Sequence, residues 1–214
     1  MEVVDAGRKT RDSDELSHDG PLPDGRRLVS GLFVLTLFIC AFLGFSVQPL
    51  AGKLLLPMVG GTASVWTTCL VFFQATLLVG YLWAHFLGRL RLGYQVCLHA
   101  VALSLAFLVL PVGVPDGSAY GHPMLWVFLE LVCGVGVPFA VLSATTPLVQ
   151  AWLARTNHSD AKDPYYLYAA SNAGSLLGLG LYPLVIEPFI GLSMQSVVWS
   201  VAFVVGAVWV TCCG

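Results

Sequence analysis

Long uncharged apolar runs alternate with short polar segments along most of the chain. Six of these runs are long enough for a helix to cross the hydrocarbon core of a membrane, which takes about 20 residues. The predicted spans are roughly 28–50, 64–87, 94–114, 124–142 (or as far as 153), 166–186 and 193–212. The pattern therefore predicts an all-α fold, a polytopic membrane helix bundle of about six transmembrane helices.

The segment 53–63, between the first two runs, reads KLLLPMVGGTA. Pro57 lacks a backbone donor, and Gly60 and Gly61 weaken a helix interior. We expect an interfacial turn or a short half-helix here rather than a continuation of the first span.

Composition supports the membrane class. The 214 residues are 57% hydrophobic and only 10% charged, which is too little charge to cover the surface of a soluble domain of this length. More than half of the charged residues lie in residues 1–27, which we interpret as a polar cytoplasmic tail. The remainder, 28–214, is predicted to form one six-helix transmembrane domain.

The positions of Lys and Arg predict the orientation of the spans. Of the ten such residues, five lie in the tail, two in the loop after the second run and two in the loop after the fourth. The opposite side of the membrane receives only Lys53. Because short cytoplasmic loops carry an excess of Lys and Arg, both termini are expected in the cytoplasm, and we expect a bacterial inner membrane.

The fifth run carries a polar stripe beside a stripe of small residues. On a helical wheel, Tyr168, Asn172 and Ser175 share one face, and the neighbouring face carries Ser171, Gly174 and Gly178. The Gly174-x-x-x-Gly178 spacing lets another helix approach closely, so the glycines are predicted to be packing residues. The polar stripe either bonds to another helix or lines a polar cavity.

A second polar stripe, Gln74, Tyr81 and His85, lies on the second run. Lipid tails satisfy none of these groups, so the stripe must face protein or water. We expect the two polar stripes to face each other. His85 is either an interface residue or part of a proton relay.

Glu130 lies within the fourth run, and Glu187 lies at the outer end of the fifth. Acids within a membrane span are costly and are often functional. With Tyr182 and Trp126 at similar depth, the two acids would suit an organic cation through charge and cation–π attraction. The alternatives are that Glu130 reaches the interface and that Lys53 simply pairs with one of the acids.

Motifs of soluble enzymes are not found in the sequence. It has no phosphate-binding loop after a strand, no His-rich metal motif and no G-x-S-x-G elbow. The cysteines have no metal-ligand spacing, and no basic surface suggests nucleic-acid binding. We expect no catalytic residues, no metal, no cofactor and no nucleic-acid partner.

Four segments carry a resemblance to a known family: QPLAGKLLLPMVGGTASVW, GYLWAHFLGRL, ATTPLVQAW and DPYYLYAASNAGSLLGLGLYPLVIEP. Over roughly residues 30–195 the chain resembles the membrane region of fused major-facilitator-like/spermidine-synthase-like proteins. The resemblance implies a bundle like half of a major-facilitator-type transporter, often followed by a cytoplasmic aminopropyltransferase-like domain. These 214 residues lack that domain. The resemblance therefore transfers no catalytic residue, and we expect a protein that is not an enzyme.

Two functions follow as hypotheses. The first is an accessory or assembly subunit of a membrane complex, built on a transporter-like six-helix unit. The second is a transporter or binding protein for a small polar or cationic solute, such as a polyamine, that works as a dimer because six helices are half of a twelve-helix transporter. The expected partners are the lipid bilayer and either other membrane protein chains or a second copy.

Overall fold

The computed structural model describes residues 24–113, 121–155 and 165–213, and no β-strand occurs among them. The helices are α1 Asp24–Val59, α2 Ala63–Leu87, α3 Leu92–Ala106, α4 Pro123–Leu131, α5 Val137–Ala154, α6 Tyr165–Leu181, α7 Glu187–Phe189 and α8 Leu192–Cys213. A 3₁₀ turn, Phe107–Val109, extends α3. Two π-helical segments, Val132–Gly136 and Tyr182–Ile186, join α4 to α5 and α6 to α7.

Within the described residues, six helical stretches are long and apolar enough to cross a membrane. In chain order, these first to sixth spans are Val29–Val59, Ala63–Leu87, Leu92–Val109, Pro123–Ala154, Tyr165–Phe189 and Leu192–Thr211. They confirm the predicted all-α bundle of six membrane-spanning helices.

The first span is longer than the sequence pattern predicts. It does not stop near Leu50 but runs as helix through Pro57 to Val59. Pro57 removes only its own backbone donor, so the helix ends instead where Gly60 adopts φ +72° and its N–H donates to Leu56 O at 2.9 Å. Of the predicted tail, residues 1–23 lie outside the described part of the chain, and α1 begins at Asp24.

The chain divides into two units, Met1–Gly31 and Leu32–Gly214. The described part of the first unit, residues 24–31, is the opening of α1. All the packing described below lies within the second unit.

The third and fourth spans also differ from their predicted limits. The third ends at Val109 rather than near residue 114, and the non-helical residues 110–113 follow it. The fourth reaches Ala154, close to the longer of the two predicted limits.

A proline follows each of the two π-helical segments. Each segment lies just before a proline, Pro138 or Pro188. A proline ring clashes with the carbonyl four residues earlier, and a wider turn gives that carbonyl room. The apolar sequence thus continues through the proline as helix instead of ending there.

The second span packs along the fourth, and the third span packs on both the fourth and the sixth. Gly80 marks a close approach of the second span to the fourth. A Cβ at Gly80 would lie 2.5 Å from Ala140 O and 2.7 Å from Ser143 Cβ. Small residues at such crossings let helices associate where no hydrophobic effect drives them together.

The first span packs against the fifth and the sixth. Gly174 lies against the backbone of Phe38. One turn further, a Cβ at Gly178 would lie 2.6 Å from Phe42 O. On the other side of the first span, Trp199 Nε1 of the sixth span donates to Leu43 O at 3.0 Å.

The orientation remains a prediction with a direct test. Ser64 is exposed at the start of the second span, and Arg91 is exposed in the loop that follows the end of that span. In a background without native cysteines, Ser64→Cys is expected to react with a membrane-impermeant maleimide added outside intact cells, and Arg91→Cys only after permeabilisation. The reverse pattern would overturn the cytoplasmic placement of the termini.

Candidate functional site

A cavity of about 280 Å³ lies between the first, second, fourth and fifth spans. Its apolar wall includes Phe73, Leu77, Phe139 and Leu142. Eight polar side chains complete the lining: Gln48, Gln74, Tyr81, Ser143, Thr146, Ser171, Asn172 and Ser175. The four spans thus bring together polar groups that are far apart in sequence.

Two glycine contacts orient the helices that carry these groups. Gly80 holds the second span against the fourth, beside Ser143. Gly178, with Gly174, holds the fifth span against the first. Because side chains on neighbouring helical positions point about 100° apart, the positions next to these glycines face the space between the two helix pairs.

The structure brings together four of the residues that sequence analysis singled out. Gln74 and Tyr81 of the second span and Asn172 and Ser175 of the fifth line the same cavity. Ser171, from the predicted small-residue face, joins them. The cavity therefore lies between the two faces of the fifth span that the helical wheel distinguishes.

Two other residues of the predicted stripes do not line the cavity. Tyr168 is 51% exposed and lies outside the lining. His85 is exposed, and its Nε2 lies 2.9 Å from Nη2 of Arg89, one turn along the same helix. The extra turn carries His85 past the end of the cavity to the exposed end of the second span.

The acids lie apart from the cavity. Glu187 forms an ion pair with Lys53, which joins the end of the fifth span to the first. This is the pairing that sequence analysis considered as the alternative to a cation site. Tyr182 is buried, and its hydroxyl donates to Gln195 Oε1 at 2.8 Å, so it is committed to the sixth span.

Glu130 is half-buried and, within the described chain, has no ion-pair partner. It does not line the polar cavity. No group of three or more His, Cys, Asp or Glu among the described residues could hold a metal ion.

Sequence reasoning missed a buried polar network between the third and fourth spans. Trp152 Nε1 donates to Gln95 Oε1 at 2.9 Å, and Gln95 Nε2 donates to Leu90 O at 2.8 Å. His99 Nε2 lies 3.0 Å from Thr145 Oγ1. The sequence signal for this network was the spacing of Gln95 and His99, which lie one turn apart in an apolar run. Lipid cannot form hydrogen bonds with their polar side chains, so both side chains need partners within the protein.

The cavity can supply hydrogen bonds to a polar guest. Ser143 and Ser175 each donate their hydroxyl proton to their own helix, at 2.8 Å to Phe139 O and 2.9 Å to Ser171 O. The side chains of Gln74, Tyr81 and Asn172 make no hydrogen bond within the described part of the chain. Their donors and acceptors are available at a depth where lipid offers no substitute.

Comparison with known proteins identifies no relative. No protein-family model matches the chain, and neither the curated proteins nor the solved structures give a match.

Proposed function

We propose that this membrane protein binds a small polar solute in the four-span cavity and carries it across the membrane. We further propose that a second six-span unit completes the cavity. The observation that supports this is the lining itself, where eight polar side chains from four spans converge on one space. Helix packing alone does not call for such a concentration of polar groups in a membrane domain.

The exposure of the lining supports a partner on its open side. Tyr81 is 50% exposed, and Gln74 and Asn172 are also exposed. Polar side chains at membrane depth are stable where they face protein or a water-filled cavity. A second copy of the chain would cover this side and supply an equivalent set of groups, in line with the resemblance to half of a transporter.

The same exposed groups favour a second candidate, an accessory subunit. In that case helices of another chain would fill the space and bond to Asn172 and Gln74, and no solute would enter. In the transport candidate the cavity contains water, whereas in the accessory candidate the helices of another chain fill it. A variant that replaces a polar lining side chain with an apolar one distinguishes the two cases.

Asn172→Leu is the variant that separates the two candidates. If the cavity is wet, the variant is expected to keep its thermal stability in detergent within about 1 kcal/mol and to lose solute uptake, because neighbouring groups bond to water. If the cavity is filled by another helix, the variant strands a buried partner and loses about 1–3 kcal/mol.

The measurement combines thermal unfolding, size-exclusion chromatography with light scattering, and uptake into proteoliposomes. The solutes are xylitol, malonamide, malonate and spermidine, each compared with protein-free liposomes. Gln150→Leu makes a similar change in the fourth span outside the cavity and is expected to retain uptake. Absence of uptake of all four solutes by the wild type, with a co-purifying chain that Asn172→Leu releases, would replace the transport proposal with the accessory one.

A further inference from the structure

The lining of the cavity is rich in hydrogen-bonding groups but carries no charge. Among the described residues that line it, the polar ones are carboxamides and hydroxyls. The carboxamides come from three different spans, as Gln48, Gln74 and Asn172. A carboxamide both donates and accepts hydrogen bonds. Three carboxamides can therefore bind a solute that also carries both donors and acceptors.

The serines in the lining act mainly as hydrogen-bond acceptors toward the cavity. Because Ser143 and Ser175 donate to carbonyls of their own helices, the hydroxyl oxygens present their remaining lone pairs to the cavity. Gln48 Nε2 also turns back, toward Gly44 O at 3.4 Å. The cavity therefore offers acceptors from the first, fourth and fifth spans, and both donors and acceptors from Gln74, Tyr81 and Asn172.

A charged guest would lack a counter-charge in this cavity. Taking an ion out of water is costly unless a partner of opposite charge receives it. Glu187 is committed to Lys53, and Glu130 lies outside the lining. A polyamine would find no carboxylate among the described lining residues, and a carboxylate anion would find no Lys or Arg.

The volume of the cavity limits how much of the guest one chain surrounds. At about 280 Å³ it lies just below the usual range of about 300–1,000 Å³ for small-molecule sites. The apolar wall formed by Phe73 and Phe139 gives one side of the guest no hydrogen bonds. A short polyol or a simple amide fits both constraints.

We infer that the solute is a small uncharged molecule bearing both hydrogen-bond donors and acceptors, of the polyol or amide class, read by Gln74 and Asn172. This inference rests on the proposed function and names the solute class of the same cavity. It excludes the cationic solute that sequence analysis considered.

Matched solutes test the class. Malonamide and malonate have the same carbon skeleton and differ in charge, xylitol is a neutral polyol, and spermidine is a cation. In proteoliposomes containing the full chain, with any chain that co-purifies, uptake of malonamide or xylitol is expected to exceed that of malonate and spermidine by at least about tenfold.

An isosteric charge change tests the site. Asn172→Asp keeps the shape of the side chain but adds a negative charge and removes the amide donors. It is expected to lower uptake of the neutral solutes about tenfold, the effect of losing one well-placed hydrogen bond. Gln150→Glu, the same type of change outside the cavity, is expected to leave uptake unchanged. Size-exclusion profiles that match the wild type show that both variants are folded.

The outcomes separate the two proposals. If the wild type takes up spermidine or malonate as well as it takes up the neutral solutes, the inference of an uncharged solute is wrong. The transport proposal is then unaffected. Neutral uptake that Asn172→Asp leaves unchanged overturns the assignment of Asn172. No uptake of any of the four solutes overturns both the solute class and the proposed function.

Discussion

Gly178→Ala is expected to destabilise the protein by about 1–3 kcal/mol, the usual cost of forcing a methyl group into a packed interface. The added Cβ would lie 2.6 Å from Phe42 O and 3.2 Å from Phe42 Cα. Both are backbone atoms of the first span, so relief requires the two helices to separate. Gly174→Ala meets the backbone of Phe38 in the same way. Thermal or denaturant unfolding in mild detergent measures the loss.

Gly180 provides the matched control on the same helix. Apart from the backbone of its own helix and its two chain neighbours, a Cβ there would have no atom within 4 Å. Gly180→Ala is expected to be neutral or stabilising, because Ala is favoured over Gly in a helix by up to about 1 kcal/mol. The two variants should therefore shift stability in opposite directions. Equal stabilities for Gly178→Ala and Gly180→Ala would contradict the close contact between the first and fifth spans.

This contact also matters for the cavity, because it fixes one wall. Ser171, Asn172 and Ser175 lie on the fifth span beside the glycines, and Gln48 lies on the first. Separating the two helices would move these groups apart. We therefore expect Gly178→Ala to lower solute uptake as well, in proportion to its loss of stability.

The sequence was sufficient to predict the number of spans and four of the eight polar side chains that line the cavity. Uncharged apolar runs are the strongest pattern a membrane protein carries, and all six were recognised from them. The stripes on the second and fifth spans were readable because helical periodicity orders residues within one helix. That periodicity placed Gln74, Tyr81, Asn172 and Ser175 on faces that the structure joins.

The remainder depends on which helices are neighbours, and periodicity within one helix carries no such information. Gln48 and Ser143 appear as isolated polar residues in apolar runs until packing brings the first and fourth spans to the cavity. Gln95 and Trp152 find each other across 57 positions of sequence. The helical end of the first span was missed because Pro57 has a smaller effect in a last turn than in a helix interior.

The Ser196→Ala/Ser200→Ala double variant is expected to lose about 2–6 kcal/mol, since it strands two buried backbone groups at about 1–3 kcal/mol each. Residues 110–113 leave the third span as non-helical chain, and Val112 is 3% exposed. Its N–H donates to Ser200 Oγ at 3.3 Å, and its carbonyl accepts from Ser196 Oγ. Two serines one turn apart on the sixth span thus replace the hydrogen bonds that a helix would have supplied.

Non-helical backbone is tolerated within a membrane domain only where protein or water satisfies it, so these two hydroxyls are what let the third span end in a buried position. Unfolding in detergent measures the stability, and hydrogen exchange at Val112 reports the lost donor directly. Ser104→Ala is the control, because that exposed serine bonds only to Ala100 O of its own helix and its loss should have little effect. A double variant as stable as Ser104→Ala, with unchanged exchange at Val112, would show that the sixth span does not hold this segment.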